Sequence, residues 1–345
     1  MVLERVGVIG AGSWGTALTK PLSDRHRAVS LWGHNKEHLS TIIESRENTT
    51  YLPGYILPEV IRPVSDLELA VRGHKIVVMV VPSHVFREVF LLAAPYLENG
   101  AYVLSATKGI ENDTLMTMTQ VMRDVLSRIP GGKHAIQLGV LSGPSFAKEV
   151  AAGLPTAVTV AAQSMAAAQV FQQTFFTERF RVYTSTDVIG LELGGALKNI
   201  VAIAAGICDG LGFGTNTRAA LITRGLAEIT RLGVKMGARP LTFAGLGGLG
   251  DLVLTCTGDL SRNRTVGVKL GLGKTLKTIL GEMNMVAEGI KTTRSAWALA
   301  QKMDVEMPIL EQVYQVIYKD KPCAAAVHDL LARDQKEELD LKGVT

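Results

Sequence analysis

Short apolar runs alternate with helix-length segments through the first half of the chain. Val6-Gly-Val-Ile-Gly10 ends in glycine, and Ala28-Val-Ser-Leu-Trp32 follows. The Lys75–Val81 run is apolar from Ile76 onward, the pattern of a strand buried on both faces. Ala101–Ser105 and Ile136–Leu141 continue the series, with weaker runs at Thr156–Val160 and Phe180–Tyr183. Segments such as Ser83–Leu97 and Thr114–Leu126 have helical length. Strand, helix and strand repeated this often predict an α/β fold, a doubly wound parallel sheet of Rossmann type. From Gly190 onward no comparable strand is visible, and long apolar stretches such as Leu191–Ile207 and Met307–Tyr318 read as helices. The expected organisation is a Rossmann-type sheet domain over residues 1–188 and an all-helical domain over 189–345. Pro21 fits poorly: it falls inside the first helix pattern, Trp14–His26, where an interior proline costs about 3 kcal/mol. A kink or an earlier helix end is expected there.

Composition narrows the class. Apolar residues make up 47% of the chain and charged residues 20%, which suits a soluble protein with a large core. A net charge of +4 without a basic stretch argues against nucleic-acid binding. Cys208, Cys256 and Cys323 show no metal-ligand spacing and read as reduced thiols. No metal is expected. No signal-peptide pattern precedes the strand at Val6, and Gly, Pro and polar residues break the apolar stretches. A cytoplasmic protein without membrane insertion is expected, and a homodimer is left open.

Gly10-Ala-Gly12-Ser13-Trp14-Gly15 matches G-x-G-x-x-G between a buried strand and a helix, the context in which the pattern carries weight. Gly10 permits the turn, Gly12 lets a pyrophosphate approach the backbone, and Gly15 lets helix and strand pack closely. The helix N-terminus offers free N–H groups to the phosphates. Gly245-Leu-Gly-Gly-Leu-Gly250 has the same spacing but lacks the strand, and is rejected as a dinucleotide site. The second strand ends Leu31-Trp-Gly-His34-Asn-Lys36, with no carboxylate before Glu37 to accept from a ribose 2′-OH. His34 and Lys36 lean instead toward the 2′-phosphate of NADPH, with NADH not excluded. Ligands of such sheets sit beyond the carboxyl ends of the strands. There the chain places Pro82-Ser83, Thr107-Lys108-Gly109 and Ser142-Gly143-Pro-Ser145-Phe146. Ser145 reads equally as a helix cap.

Chemically the most unusual segment is Gly194-Gly-Ala-Leu-Lys198-Asn199. At helical spacing from Lys198 stand Leu191, Gly194, Gly195, Val201, Ala202 and Ala205, all small or apolar. A lysine in so apolar a helix must be paired, neutral or reaching into a cavity. Burial lowers its pKa toward the range of a general acid/base, so Lys198 is the candidate proton donor for reduction of a ketone. Asp251, between a glycine cluster and Leu252-Val-Leu254, is its candidate partner. Ser261-Arg262-Asn263-Arg264 opens a helix and suits a phosphate.

Together Gly10–Gly15, Val81-Pro-Ser83, Thr107-Lys-Gly109, Gly143-Pro-Ser-Phe-Ala147, Leu197-Lys-Asn199, Gly250-Asp-Leu252 and Ser261–Arg264 resemble glycerol-3-phosphate dehydrogenase [NAD(P)+] of the bacterial soluble type. The resemblance runs over nearly the whole chain. It implies NAD(P)H-dependent reduction of dihydroxyacetone phosphate to sn-glycerol 3-phosphate, supplying glycerophospholipid synthesis. It assigns the catalytic role to Lys198. Substrate contacts fall on Lys108, Gly143, Ser145, Lys198, Asp251, Ser261, Arg262 and Asn263. Cofactor contacts fall on Ser13, Trp14, His34, Lys108, Ala147, Val286 and Glu288, alongside Gly10, Gly12 and Gly15, with Tyr51 and Arg262 as further candidates. A β-hydroxyacid dehydrogenase would carry Asn four residues after the lysine, where this chain has Ala202. A non-catalytic dinucleotide sensor would have no use for Lys198.

Overall fold

The computed structural model describes residues 5–26, 28–129, 135–283, 287–335 and 337–338. The described residues divide into two compact units, those within 1–107 and 118–188, and those within 108–117 and 189–345. Each has its own apolar core.

The first unit holds an eight-stranded sheet: β1 Val6–Ile9, β2 Val29–Trp32, β3 Ile61–Val64, β4 Ile76–Met79, β5 Tyr102–Ser105, β6 Gln137–Ser142, β7 Thr156–Ala162 and β8 Phe180–Ser185. Their order is β3-β2-β1-β4-β5-β6-β7-β8. The first six strands run parallel, in the order of a dinucleotide-binding sheet. The sheet is not parallel throughout, because β7 pairs antiparallel with β6 and β8 then runs parallel to β7. Sequence patterning does not reveal this, since direction depends on where the connection returns. β3 escapes it too: Ile61-Arg-Pro63-Val64 contains a proline, which sheets accept on an edge strand such as this.

The helices of this unit are α1 Ser13–Ser23, α2 Lys36–Ser45, α3 Leu67–Val71, α4 Phe86–Ala93, α5 Met118–Ser127, α6 Ala147–Ala151 and α7 Met165–Phe175. α1 runs through Pro21 and ends at Ser23. The missing N–H falls in the last turn, and the chain beyond closes with Asp24 N–H to Lys20 O and His26 N–H to Leu22 O. The conflict is thus settled by an earlier helix end. α5 begins later than its pattern predicts because residues 108–117 pack with the second unit.

The second unit is helical: α8 Val188–Gly210, α9 Thr215–Lys235, α10 Pro240–Phe243, α11 Asp251–Thr257, α12 Arg262–Gly271, α13 Leu276–Gly281, α14 Glu288–Met303, α15 Pro308–Tyr318 and α16 Cys323–Leu331. α8 is long and apolar enough to cross a membrane, but 89% of its apolar window is buried, as in the central helix of a folded core. Glycines set its packing against α12. A Cβ on Gly206 would stand 2.1 Å from Arg264 O, and one on Gly267 would stand 2.0 Å from Ile203 O. The two backbones therefore touch, which brings the start of α12 against the middle of α8.

Candidate active site

In the first unit, the turn after β1 has the shape its glycines predict. Gly10 has φ +130°, which L side chains rarely adopt, and a Cβ there would meet Val80 O at 2.7 Å. A Cβ on Gly15 would lie 1.8 Å from Gly10 O, so helix and turn can approach only with glycine at that position. A Cβ on Gly12 would meet nothing within 4 Å. Gly12 therefore faces open space in front of the α1 N-terminus, and this cradle fits a dinucleotide pyrophosphate. Ser13 and Trp14 form the first turn of α1, half-buried.

Because β1, β2 and β6 are parallel within one sheet, their carboxyl ends lie along one edge. Exposed His34 and Lys36 follow β2, and Asn35 between them caps α2 by accepting from His38 N–H at 2.9 Å. No carboxylate stands among residues 33–36. Tyr51 is half-buried, its ring edge-on to His38 with centroids 4.9 Å apart. Gly143, at φ +144°, follows β6, and a Cβ there would strike Val158 Cα at 2.9 Å. The Ser145 hydroxyl donates to Gly143 O at 2.9 Å and does not cap α6, whose first residue is Ala147.

In the second unit, Lys198 sits on α8 with 6% of its surface exposed. Its ammonium donates to Thr255 Oγ1 at 2.6 Å and to Asn199 Oδ1 at 3.3 Å, and lies 3.1 Å from Asp251 Oδ1. The other Asp251 oxygen takes Lys108 Nζ at 2.5 Å. Asp251 is 1% exposed and opens α11 directly from a π-helical turn over Leu246–Gly250. One buried carboxylate thus serves two lysines. Burial pulls the Lys198 pKa down to about 8; the Asp251 carboxylate opposes this and the Lys108 charge adds to it. The desolvation of a fully enclosed ammonium outweighs the attraction of one anion.

The second glycine cluster has a packing role. A Cβ on Gly194 would meet Gly247 O at 2.5 Å, so α8 and the π-helical turn touch backbone to backbone and deliver Asp251 to Lys198. At the start of α12, Ser261 is the N-cap, accepting from Arg264 N–H at 3.2 Å. Arg262 opens α12; desolvation pulls its pKa down, and the charge of Glu288, in the first turn of α14, opposes this. Buried Asn263 donates to Asn199 Oδ1 at 2.9 Å and accepts from Gly289 N–H at 3.0 Å. Arg264 is engaged by Asp209 at 2.8 Å and Asp259 at 2.9 Å. Val286 lies outside the described residues.

Three residues of this geometry had no role in the sequence reading. Thr255 stands four positions after Asp251 on α11, a spacing that shares one helix face and was a readable signal. Asn199 was visible only as part of a motif; its carbonyl accepts from both Lys198 and Asn263. Asn48, fully buried beside the glycine turn, carries no sequence signal, because Ala11 and Thr16, to which its amide donates, lie 37 and 32 positions away along the chain.

Residues 5–168 match the family described as NAD-dependent glycerol-3-phosphate dehydrogenase N-terminus, and residues 187–328 the corresponding C-terminus. The chain is 58% identical over 333 residues to the glycerol-3-phosphate dehydrogenase [NAD(P)+] of Desulfotalea psychrophila, covering 96% of this chain and 98% of that one. It is 55% identical over 336 residues to the same enzyme of Syntrophobacter fumaroxidans, covering 97% and 98%. Among solved structures, glycerol-3-phosphate dehydrogenase from Coxiella burnetii aligns with a TM-score of 0.91 at 39% identity, over 96% of this chain and 100% of that chain.

Proposed function

This chain belongs to the NAD-dependent glycerol-3-phosphate dehydrogenase family, and on that premise we propose that it reduces dihydroxyacetone phosphate reversibly to sn-glycerol 3-phosphate with NADPH or NADH. The observation that carries the reading is the enclosed Lys198 ammonium, held by Asp251, Thr255 and Asn199. When bound, the reduced nicotinamide supplies the hydride. Lys198 supplies the proton: its Nζ–H goes to the carbonyl oxygen as the carbon is reduced, leaving a neutral amine that solvent reprotonates. A pKa of about 8 leaves the amine charged at neutral pH yet able to release its proton. Asp251 keeps the ammonium oriented, and Lys108, on its other oxygen, adds positive charge for an anionic substrate. Arg262 offers a bidentate fork to the phosphate, with Ser261 and Asn263 on the same turn and the α12 N-terminus behind them. Gly143 and Ser145 complete the substrate set. Gly10, Gly12, Ser13, Trp14 and Gly15 would hold the pyrophosphate side of the coenzyme, and His34, Tyr51, Ala147, Lys108, Arg262 and Glu288 its remaining contacts.

Exposed His34 and Lys36 after β2 support a preference for NADPH. We place the enzyme in the cytoplasm, supplying the glycerol phosphate backbone of phospholipids. A second copy as partner belongs to the same proposal and is read by sedimentation velocity. The central test is loss of reduced-nicotinamide absorbance on adding dihydroxyacetone phosphate, run with each coenzyme. Turnover with both, and a lower KM for NADPH, is expected; absence of turnover with either overturns the reading.

A further inference from the structure

Asn48 lies in the connection between α2 and β3 and is fully buried. Its side chain uses all of its hydrogen-bonding groups. Nδ2 donates to Ala11 O at 2.9 Å and to Thr16 Oγ1 at 2.8 Å. Oδ1 accepts from His38 Nε2 at 2.9 Å and from Tyr51 N–H at 3.2 Å. These partners fix which end of the amide is which, because Ala11 O can only accept and Tyr51 N–H can only donate. His38 must then carry its proton on Nε2.

The connection that holds Asn48 is itself braced. The Arg46 guanidinium donates to the carbonyls of Leu57, Pro58 and Ile61, all within 3.1 Å. Glu47 Oε1 accepts from Gly54 N–H at 2.7 Å, and Asn48 O accepts from Leu52 N–H at 2.8 Å. Asn48 is thus presented to the glycine turn on a folded support.

What Asn48 grips matters more than how tightly. The first hydrogen bond of α1 is Thr16 N–H to Gly12 O, so the Ala11 carbonyl lies before the helical ladder. In a trans peptide the carbonyl of one residue and the N–H of the next point in opposite directions, and no described peptide is cis. Holding Ala11 O toward buried Asn48 therefore aims Gly12 N–H the opposite way. The side of Gly12 that a side chain would occupy is open space.

We infer that Asn48 is the positioning residue of the phosphate turn: by pinning the Ala11–Gly12 peptide plane it holds the Gly12 amide toward the coenzyme pyrophosphate. The inference rests on the reading of Gly10–Gly15 as the coenzyme turn. Asn48 itself touches no coenzyme. His38 and Tyr51 extend the same support by fixing the amide from its carbonyl side.

The test is Asn48→Asp, which keeps the shape and the acceptor side but sets a carboxylate oxygen against Ala11 O. Coenzyme binding is measured by quenching of NADPH fluorescence, and steady-state kinetics by absorbance, with wild type alongside. The NADPH Kd and KM are expected to rise about tenfold or more, while kcat falls less than threefold and the KM for dihydroxyacetone phosphate stays within twofold. Half-buried His38, changed to Ala, supplies a variant that does not threaten the core. Its NADPH Kd is expected to rise about threefold, because one of two bonds to Oδ1 is lost. Folded variants with wild-type NADPH affinity, or losses confined to kcat, overturn the inference. Should wild type bind NADPH without reducing dihydroxyacetone phosphate, the proposed reaction fails while the Kd comparison still decides the role of Asn48. Wild type that binds neither coenzyme overturns both.

Discussion

An ordinary lysine holds its proton to about pH 10, so a lysine that must lose and regain one near neutrality needs an environment that disfavours its charge. Here burial supplies it, and Asp251 limits the effect. Lys198→Met should lower kcat for reduction by about 10³-fold or more, with NADPH affinity nearly unchanged. Stopped-flow turnover and fluorescence titration check the two halves. Reduction needs the protonated amine, so kcat/KM should stay level below about pH 8 and fall above it, whereas glycerol 3-phosphate oxidation should rise through the same range. Asp251→Asn removes the anion that favours the charged form. The falling limb of reduction should then move to lower pH, and stability should drop by about 3 kcal/mol because two ammonium groups lose their counter-ion. A pH profile unmoved in this variant would separate Asp251 from the proton transfer. At this scale the sequence was informative. Lys198 stood out because its helical neighbours are apolar, and Asp251 because it follows a glycine cluster. Asn48 did not, since a lone asparagine shows its distant partners only after folding.

Helices in the second unit are held by two devices that differ in legibility. α8 and α12 touch through Gly206 and Gly267, where a Cβ would meet backbone oxygen near 2 Å. Gly206→Ala should cost at least about 2 kcal/mol and reduce turnover, because Asn263 would be pushed from Asn199. Urea denaturation and kcat, measured on one preparation, test this jointly. The other device is Glu228 on α9. Its buried carboxyl accepts from Ile309 N–H at 2.7 Å and Leu310 N–H at 3.3 Å, capping α15 from a distant helix. Burial pushes its pKa up to about 7, against the two N–H groups and nearby Arg231 and Arg224. An unfolded chain ionises this group near 4.5, so between 4.5 and 7 the folded state holds the extra proton. Its contribution is full below the lower value and fades as pH rises through the upper one. Glu228→Gln should flatten the fall in urea midpoint between pH 5 and pH 7.5, a difference on the order of 3 kcal/mol at most. A pattern of apolar positions can place α9 and α15 but carries no mark of the cap between them.

Two apolar cores, one per unit, imply that unfolding need not follow a single cooperative step. Calorimetry should give a calorimetric enthalpy larger than the van't Hoff value. NADPH at about a hundredfold its Kd should stabilise the part that binds it by about 2.7 kcal/mol. A coenzyme that shifts no transition would count against the glycine turn as its site. The division itself has a feature that no pattern of apolar residues reveals. Residues 108–117 leave the sheet after β5 and pack with the helical unit before the chain returns at α5. The antiparallel step between β6 and β7 is hidden in the same way.

Local chemistry needed no folded structure to be read. The β1 turn, the alternation of strands and helices that makes a largely parallel sheet, the apolar lysine helix and the resemblance to one dehydrogenase family follow from residues adjacent in sequence or at helical spacing, whereas β3 and the strand order do not. Hydrophobic period and glycine stereochemistry act over a few residues, so the chain displays them directly. What folding alone decided are the contacts between residues far apart: Lys198 and Lys108 sharing one carboxylate, Asn48 gripping Ala11, Glu228 capping α15, and β7 reversing the sheet. Each depends on the net path of the chain, and a hydrogen bond or ion pair between distant residues leaves no periodic trace in the sequence that makes it.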